Sequence, residues 1–149
     1  MGVQFEVKRI PLSPNKEVHV EIGAGKGQFI TSLAKDYQEI QFVAIEKDID
    51  VCYRIAEKKV LLELDNLTII NLDALHLDML FEPKSIDQIY LNFSDPWPKP
   101  KHHKRRLTAK FYISVYQRLL KLGESSNVEP IIMISLSLVW IPLVKHLKS

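Results

Sequence analysis

The run Val18-His19-Val20-Glu21-Ile22 enters Gly23-Ala24-Gly25-Lys26-Gly27 without a break, and an amphipathic pattern begins at the next residue. No other stretch of the chain restricts the fold as tightly. A short β-branched run that ends at glycines is the signature of a buried parallel strand. Glycine has no Cβ, so the chain can turn sharply after that strand and bring its backbone close to a ligand. Phe29, Ile30, Leu33 and Ala34 then recur at helical spacing across residues 28–37. Strand, glycine turn and helix make a βα unit.

The alternation continues downstream. Residues 41–46 (Gln-Phe-Val-Ala-Ile-Glu) are expected to form a second strand, and Ile49, Cys52, Tyr53, Ala56 and Val60 mark a second helix. Residues 67–72 are a third strand, 74–80 a short helical segment and 86–93 a fourth strand. Pro96, Pro98 and Pro100 exclude both strand and helix from the stretch that follows. Thr108 suits a helix N-cap ahead of Phe111, Tyr112, Val115, Leu119 and Leu122, with Gly123 as the stop. Strands alternating with helices predict an α/β fold, a doubly wound, mostly parallel Rossmann-like sheet flanked by helices, with its C-terminal strands incomplete. Such sheets bind ligands beyond the carboxyl ends of their strands, which is where Glu21, Glu46, Asp73 and Asp95 are expected to fall.

At 149 residues there is room for one domain with a full core and not for two ordinary ones, so residues 1–149 are expected to form a single domain. Hydrophobic residues at 46% and charged residues at 26% are a globular composition, not a disordered one. A net charge of +2 does not by itself call for nucleic acid; only clustering of the basic residues does. The single cysteine, Cys52, forbids an internal disulfide, fits a reducing cytoplasm and is most simply a small core residue. Residues 1–10 carry no secretory pattern. The longest apolar stretch, 130–144, is too short for a membrane-spanning helix of about 20 residues, so no membrane association is expected. Oligomeric state is left open between monomer and homodimer.

The glycine turn discriminates between ligands. A phosphate-binding loop needs Gly-Lys followed by Ser or Thr, whereas Lys26 is followed by Gly27. The dinucleotide fingerprint needs a third glycine where Gln28 stands. What remains is acidic-x-Gly-x-Gly-x-Gly, the pattern of methyltransferases that use S-adenosylmethionine. That cofactor has no phosphate and carries a sulfonium, an amino group and ribose hydroxyls, so carboxylates beside the turn attract it. Gly23, Gly25 and Gly27 would give the backbone its close approach. Glu46 suits the ribose hydroxyls, as an acid does in the dinucleotide site, and Asp73 suits the adenine amino group. Glu21 adds hydrogen bonds to the loop. Each acid alone reads equally well as a helix cap or a solvated turn residue, but three at successive strand ends after such a turn favour the cofactor.

Asn92-Phe93-Ser94-Asp95-Pro96-Trp97-Pro98-Lys99, followed by His103-Lys104-Arg105-Arg106-Leu107-Thr108, closely resembles the bacterial tRNA (guanine-N7)-methyltransferase family. The resemblance extends through Val20-Glu21-Ile22-Gly23-Ala24-Gly25-Lys26-Gly27-Gln28-Phe29 and covers most of a core spanning residues 18–122. It implies cofactor contacts at Glu21, Glu46, Asp73 and Asp95, an active-site role for Asp95 and a substrate contact at Lys99. The chemistry is consistent. Guanine N7 already presents a lone pair, so methyl transfer needs alignment more than a strong base, and a carboxylate can stabilise the charge that develops on the purine. Trp97 offers a stacking face or, equally, a hydrophobic plug for the turn. Lys99, Lys101, Lys104, Arg105 and Arg106, with His102 and His103 between them, place five permanent positive charges within eight residues, for which the phosphates of tRNA are the natural partner. Neither histidine has a partner at metal-ligand spacing, so no metal is expected.

The resemblance stops after Leu122-Gly123. The family continues with a Thr-Asp-Asn segment and a later Thr-x-x-Glu segment; here residues 124–149 form an atypical tail, as expected of a frameshift or a truncated gene. Residues 131–138 still read as a fifth strand. Three functions follow: a tRNA guanine-N7 methyltransferase, a catalytically impaired RNA- or cofactor-binding remnant of one, and a methyltransferase for small molecules or protein, which would leave the basic run idle.

Overall fold

The computed structural model describes residues 9–25, 27–92, 110–121, 132–136 and 139–142. Along the chain these form β1 (Val18–Ile22), α1 (Gln28–Asp36), β2 (Gln41–Glu46), α2 (Ile49–Leu62) and β3 (Leu67–Asn71). A single 3-10 turn (Ala74–His76) then runs into the short helix α3 (Leu77–Leu80), followed by β4 (Gln88–Asn92), α4 (Lys110–Leu119), β5 (Ile132–Leu136) and β6 (Val139–Pro142). The six strands lie in the order β3-β2-β1-β4-β5-β6, with β1 to β5 parallel and β6 antiparallel to β5. The doubly wound, mostly parallel sheet expected from the sequence is therefore the fold.

Alternation along the strands divides the core in two. Val18, Val20 and Ile22 of β1 point with Val43 and Ile45 of β2 to the face covered by α3 and α4, where they join Leu77, Phe81, Tyr112, Val115 and Tyr116. Phe42 and Ala44 point the other way, toward Ile30 and Ala34 of α1 and Ile55 of α2. The central strands are buried on both faces, as parallel strands under helices must be. Cys52 is buried too, the core residue that its isolation suggested.

Local chemistry fixes the helix starts. Asp48 caps α2, its carboxylate accepting from the backbone N–H groups of Asp50 (2.9 Å) and Val51 (3.4 Å). No side chain caps α1; it starts instead from Gly27 in the left-handed region (φ 75°), and the Thr31 hydroxyl donates back to the Gly27 carbonyl at 2.6 Å. The third glycine also has a packing role, because a Cβ there would lie 2.8 Å from Ile55 Cγ1.

Two differences from the sequence reading have physical causes. Ile86, expected at the start of β4, pairs instead as an isolated bridge with Leu120, because the end of α4 docks there: Ile86 N–H donates to Leu119 O and Ile86 O accepts from Lys121 N–H, both at 2.9 Å. The single strand expected over 131–138 is β5 alone, and residues 139–142 fold back on it as β6. That reversal carries no glycine, proline or asparagine to announce it. The helix expected from Thr108 to Leu122 is described as Lys110–Leu119, and Thr108, Leu122 and Gly123 lie outside the described residues.

Gly27→Ala combines a left-handed backbone with a clash against Ile55, so it is expected to lower the unfolding free energy by about 2 kcal/mol. Urea unfolding measures this, and the loss should be smaller in an Ile55→Ala background, where both Cγ atoms that meet the added Cβ are gone.

Candidate functional site

The chain order reverses between β1 and β4, the strands on either side of the point where ligands bind in open α/β sheets. At that end of the sheet the glycine turn is tied to β2. Gly23 N–H extends the ladder by donating to Ile45 O at 2.9 Å, and Gly25 N–H donates to Glu46 Oε2 at 3.1 Å. Gly23 (φ 71°) and Gly25 (φ 54°) share the left-handed conformation of Gly27, which residues with a Cβ rarely adopt.

Glu46 is the hub. It is 8% exposed at the last position of β2, and its other oxygen, Oε1, accepts from Asp48 N–H at 3.1 Å. Each carboxylate oxygen thus holds one backbone donor, and an ionised carboxylate offers about four acceptor positions in all, so acceptor capacity is left for a ligand. The backbone of Glu46 is fixed as well: its carbonyl accepts from Asn71 Nδ2 (3.0 Å), Leu72 N–H (3.1 Å) and Cys52 Sγ (3.3 Å).

Asp73 follows β3 at the same end and is exposed; its Oδ1 caps the 3-10 turn by accepting from Leu75 N–H at 3.0 Å. The cap and the candidate contact thus coincide in one side chain. From α4, Tyr112 and the fully buried Tyr116 approach this strand end. Burial raises both phenol pKa values, and the negative charge of Asp73 adds to it.

Glu21 differs from expectation in position. It lies within β1, fully buried, on the sheet face shared with His19 and in register with Tyr90 of β4. Tyr90 meets Phe29 edge to face at 5.1 Å and His19 Nδ1 at 3.1 Å, while His19 Nε2 meets Glu17 at 2.9 Å. A carboxylate only accepts, so Nε2 presents its N–H to Glu17, and in the neutral ring Nδ1 then accepts from the Tyr90 hydroxyl. Burial first, then the charge of Glu17, pushes the Tyr90 phenol up to about 12.

Glu21, Gly23, Gly25, Gly27, Glu46 and Asp73 are therefore gathered around one end of the sheet. Asp95, Lys99, Lys101, His102, His103, Lys104, Arg105 and Arg106 lie outside the described residues, as does Lys26. Sequence spacing did not single out Asn71 or Asp48 and gave Cys52 only a core role, yet all three shape the turn that carries Glu46. Only Asp48 had a local signal, an acid just before a helical pattern.

A family model described as "Putative methyltransferase" matches residues 15–128. The chain belongs to this methyltransferase family. Within it, the chain is 49% identical over 104 residues to a tRNA (guanine-N(7)-)-methyltransferase of Staphylococcus epidermidis, covering 70% of this chain and 48% of that protein. It is 48% identical over 111 residues to the enzyme of the same name from Listeria innocua, covering 74% and 52%. The family resemblance read from a core spanning residues 18–122 is borne out. The chain spans about half the length of the curated relatives it matches. Among solved structures, a SAM dependent methyltransferase from Aquifex aeolicus superposes with a TM-score of 0.60 at 17% identity, over 80% of this chain and 57% of that one. A Haemonchus contortus phosphoethanolamine N-methyltransferase, solved with S-adenosylhomocysteine, gives 0.59 at 19% identity, over 83% and 25%. These likenesses are of fold. No helix among the described residues is long and apolar enough to cross a membrane, and no group of metal-binding side chains occurs among them.

Because Tyr90 holds its proton longer when folded than its ordinary value of 10, its contribution to stability is complete below pH 10 and disappears as pH rises toward about 12. Urea midpoints are expected to fall across that window, and to fall less in Tyr90→Phe.

Proposed function

We propose that this chain binds S-adenosylmethionine at the carboxyl ends of β1, β2 and β3 and transfers its methyl group to N7 of a guanine in tRNA. The observation that carries the reading is Glu46: a nearly buried carboxylate, oriented by Gly25 and Asp48, with acceptor capacity left beside a left-handed glycine turn. The donor set fits the cofactor. Ribose hydroxyls need acceptors, which Glu46 supplies, and the adenine amino group needs one more, which Asp73 supplies through the oxygen that does not cap Leu75. The acidic character of this end suits a cationic cofactor and disfavours a polyphosphate. Bound there, S-adenosylmethionine supplies an electrophilic methyl group on a sulfonium.

The chain's own residues then have distinct tasks. Gly23, Gly25 and Gly27 shape the backbone that approaches the cofactor, and Glu21 supports the turn from inside β1. Asp95 holds the guanine or the cofactor in line and stabilises positive charge developing on the purine. Lys99 contacts the substrate, and Lys101, His102, His103, Lys104, Arg105 and Arg106 take the phosphates of the tRNA. The 49% identity to a protein named for this activity supports the choice of substrate. Residues 1–149 act as a single domain in the cytoplasm, with no metal and no membrane partner, as a monomer or a homodimer. The second reading, an impaired remnant that keeps the cofactor or RNA, rests on the atypical stretch 124–149.

Methyl transfer from labelled cofactor to unmodified tRNA, with the product nucleoside identified by mass spectrometry, tests the choice. Incorporation as 7-methylguanosine is expected, with loss of about a hundredfold or more in Asp95→Ala and a smaller loss in Lys99→Ala. Cofactor binding without incorporation would select the remnant.

A further inference from the structure

Asn71 has no part in the proposed cofactor contacts, yet its side chain sits where Glu46 is held. It ends β3 in register with Glu46 at the end of β2. Parallel partners point to the same face, here the face that α2 covers. From there the Asn71 amide reaches over the turn into α2 and donates to two successive carbonyls, Glu46 O at 3.0 Å and Lys47 O at 2.9 Å. The buried Cys52 thiol, its pKa raised by burial, donates to the same Glu46 carbonyl at 3.3 Å.

A primary amide is suited to this task. It has two N–H donors on one nitrogen, one for each carbonyl, which no hydroxyl or carboxylate provides. The two carbonyls flank the point where the chain leaves β2. Fixing them sets the direction of the Glu46 Cα–Cβ bond, and so the placement of the carboxylate oxygens that hold Gly25 and Asp48.

We propose that Asn71 is a positioning residue for cofactor binding: it locks the β2–α2 turn so that the Glu46 carboxylate is preorganised to accept the ribose hydroxyls. The inference rests on the cofactor reading above. It predicts that loss of the amide weakens binding through the ribose and not through stability alone, since a ligand must otherwise order the turn itself.

A second asparagine provides the control. Asn66 uses the same chemistry at the opposite end of the sheet, its Nδ2 lying 3.0 Å from each of the carbonyls of Ala34, Tyr37 and Ile40. The experiment is calorimetric titration of the whole chain with S-adenosylhomocysteine and with its 2′-deoxy analogue, using wild type, Asn71→Ala, Asn66→Ala and Glu46→Ala, each checked for folding by thermal unfolding. Asn71→Ala is expected to raise the Kd for S-adenosylhomocysteine about tenfold, the scale of one or two hydrogen bonds. It should also narrow the gap between the two ligands. Asn66→Ala should lower the Tm by a similar amount and leave the Kd unchanged. Equal binding by Asn71→Ala and wild type, or equal weakening by Asn71→Ala and Asn66→Ala, overturns the positioning role while leaving the cofactor reading intact if Glu46→Ala binds weakly. Failure of wild type to bind, or full-strength binding by Glu46→Ala, overturns both.

Discussion

Two hydrogen bonds between the glycine turn and the end of β2 hold the candidate site together. The bond from Gly23 to Ile45 O continues the parallel ladder one step past β1, and the bond from Gly25 to the Glu46 carboxylate pins the turn where the ladder stops. Three residues with positive φ between β1 and α1 let the chain reverse within that space. The start of α1, its seat on Ile55 of α2 and the orientation of Glu46 all follow from this short segment. Its polar groups are tolerated because the sheet beneath them is sealed on both faces by apolar side chains.

In the proposed site Glu46 serves structure and ligand at once. A carboxylate that accepts backbone donors at fixed positions is oriented before any ligand arrives, and orientation set in advance is affinity that a ligand need not supply. The same economy governs Asp73, whose one oxygen caps a 3-10 turn while the other remains available. Caps and contacts need not be rival explanations of such acids; at the carboxyl end of a parallel sheet they are adjacent functions of the same side chain.

The strands and helices from Val18 to Asn92 were legible because each is written locally, as a β-branched run or an apolar repeat bounded by a turn signal. The site was legible where it too is local: the glycine turn, and acids immediately after strands. What escaped depends on pairing between distant segments. Asn71 matters through its register with Glu46, and Glu21 is buried because β4 lies alongside β1, neither of which a linear pattern encodes. Gly27 was read as a ligand contact, and its neighbour Ile55 gives it a packing reason as well. The β5–β6 reversal was invisible because an apolar stretch interrupted only by Ser135 and Ser137 looks the same whether it runs on or folds back.

Membership of the methyltransferase family and the geometry around Glu46 converge on one cofactor class. The most direct measurement of that claim is competition: S-adenosylhomocysteine titrated into the chain in the presence of excess ATP or NAD. Saturable binding at one site per chain, undisturbed by either nucleotide, is the predicted result. Displacement by ATP or NAD, or binding of either in place of S-adenosylhomocysteine, would contradict it.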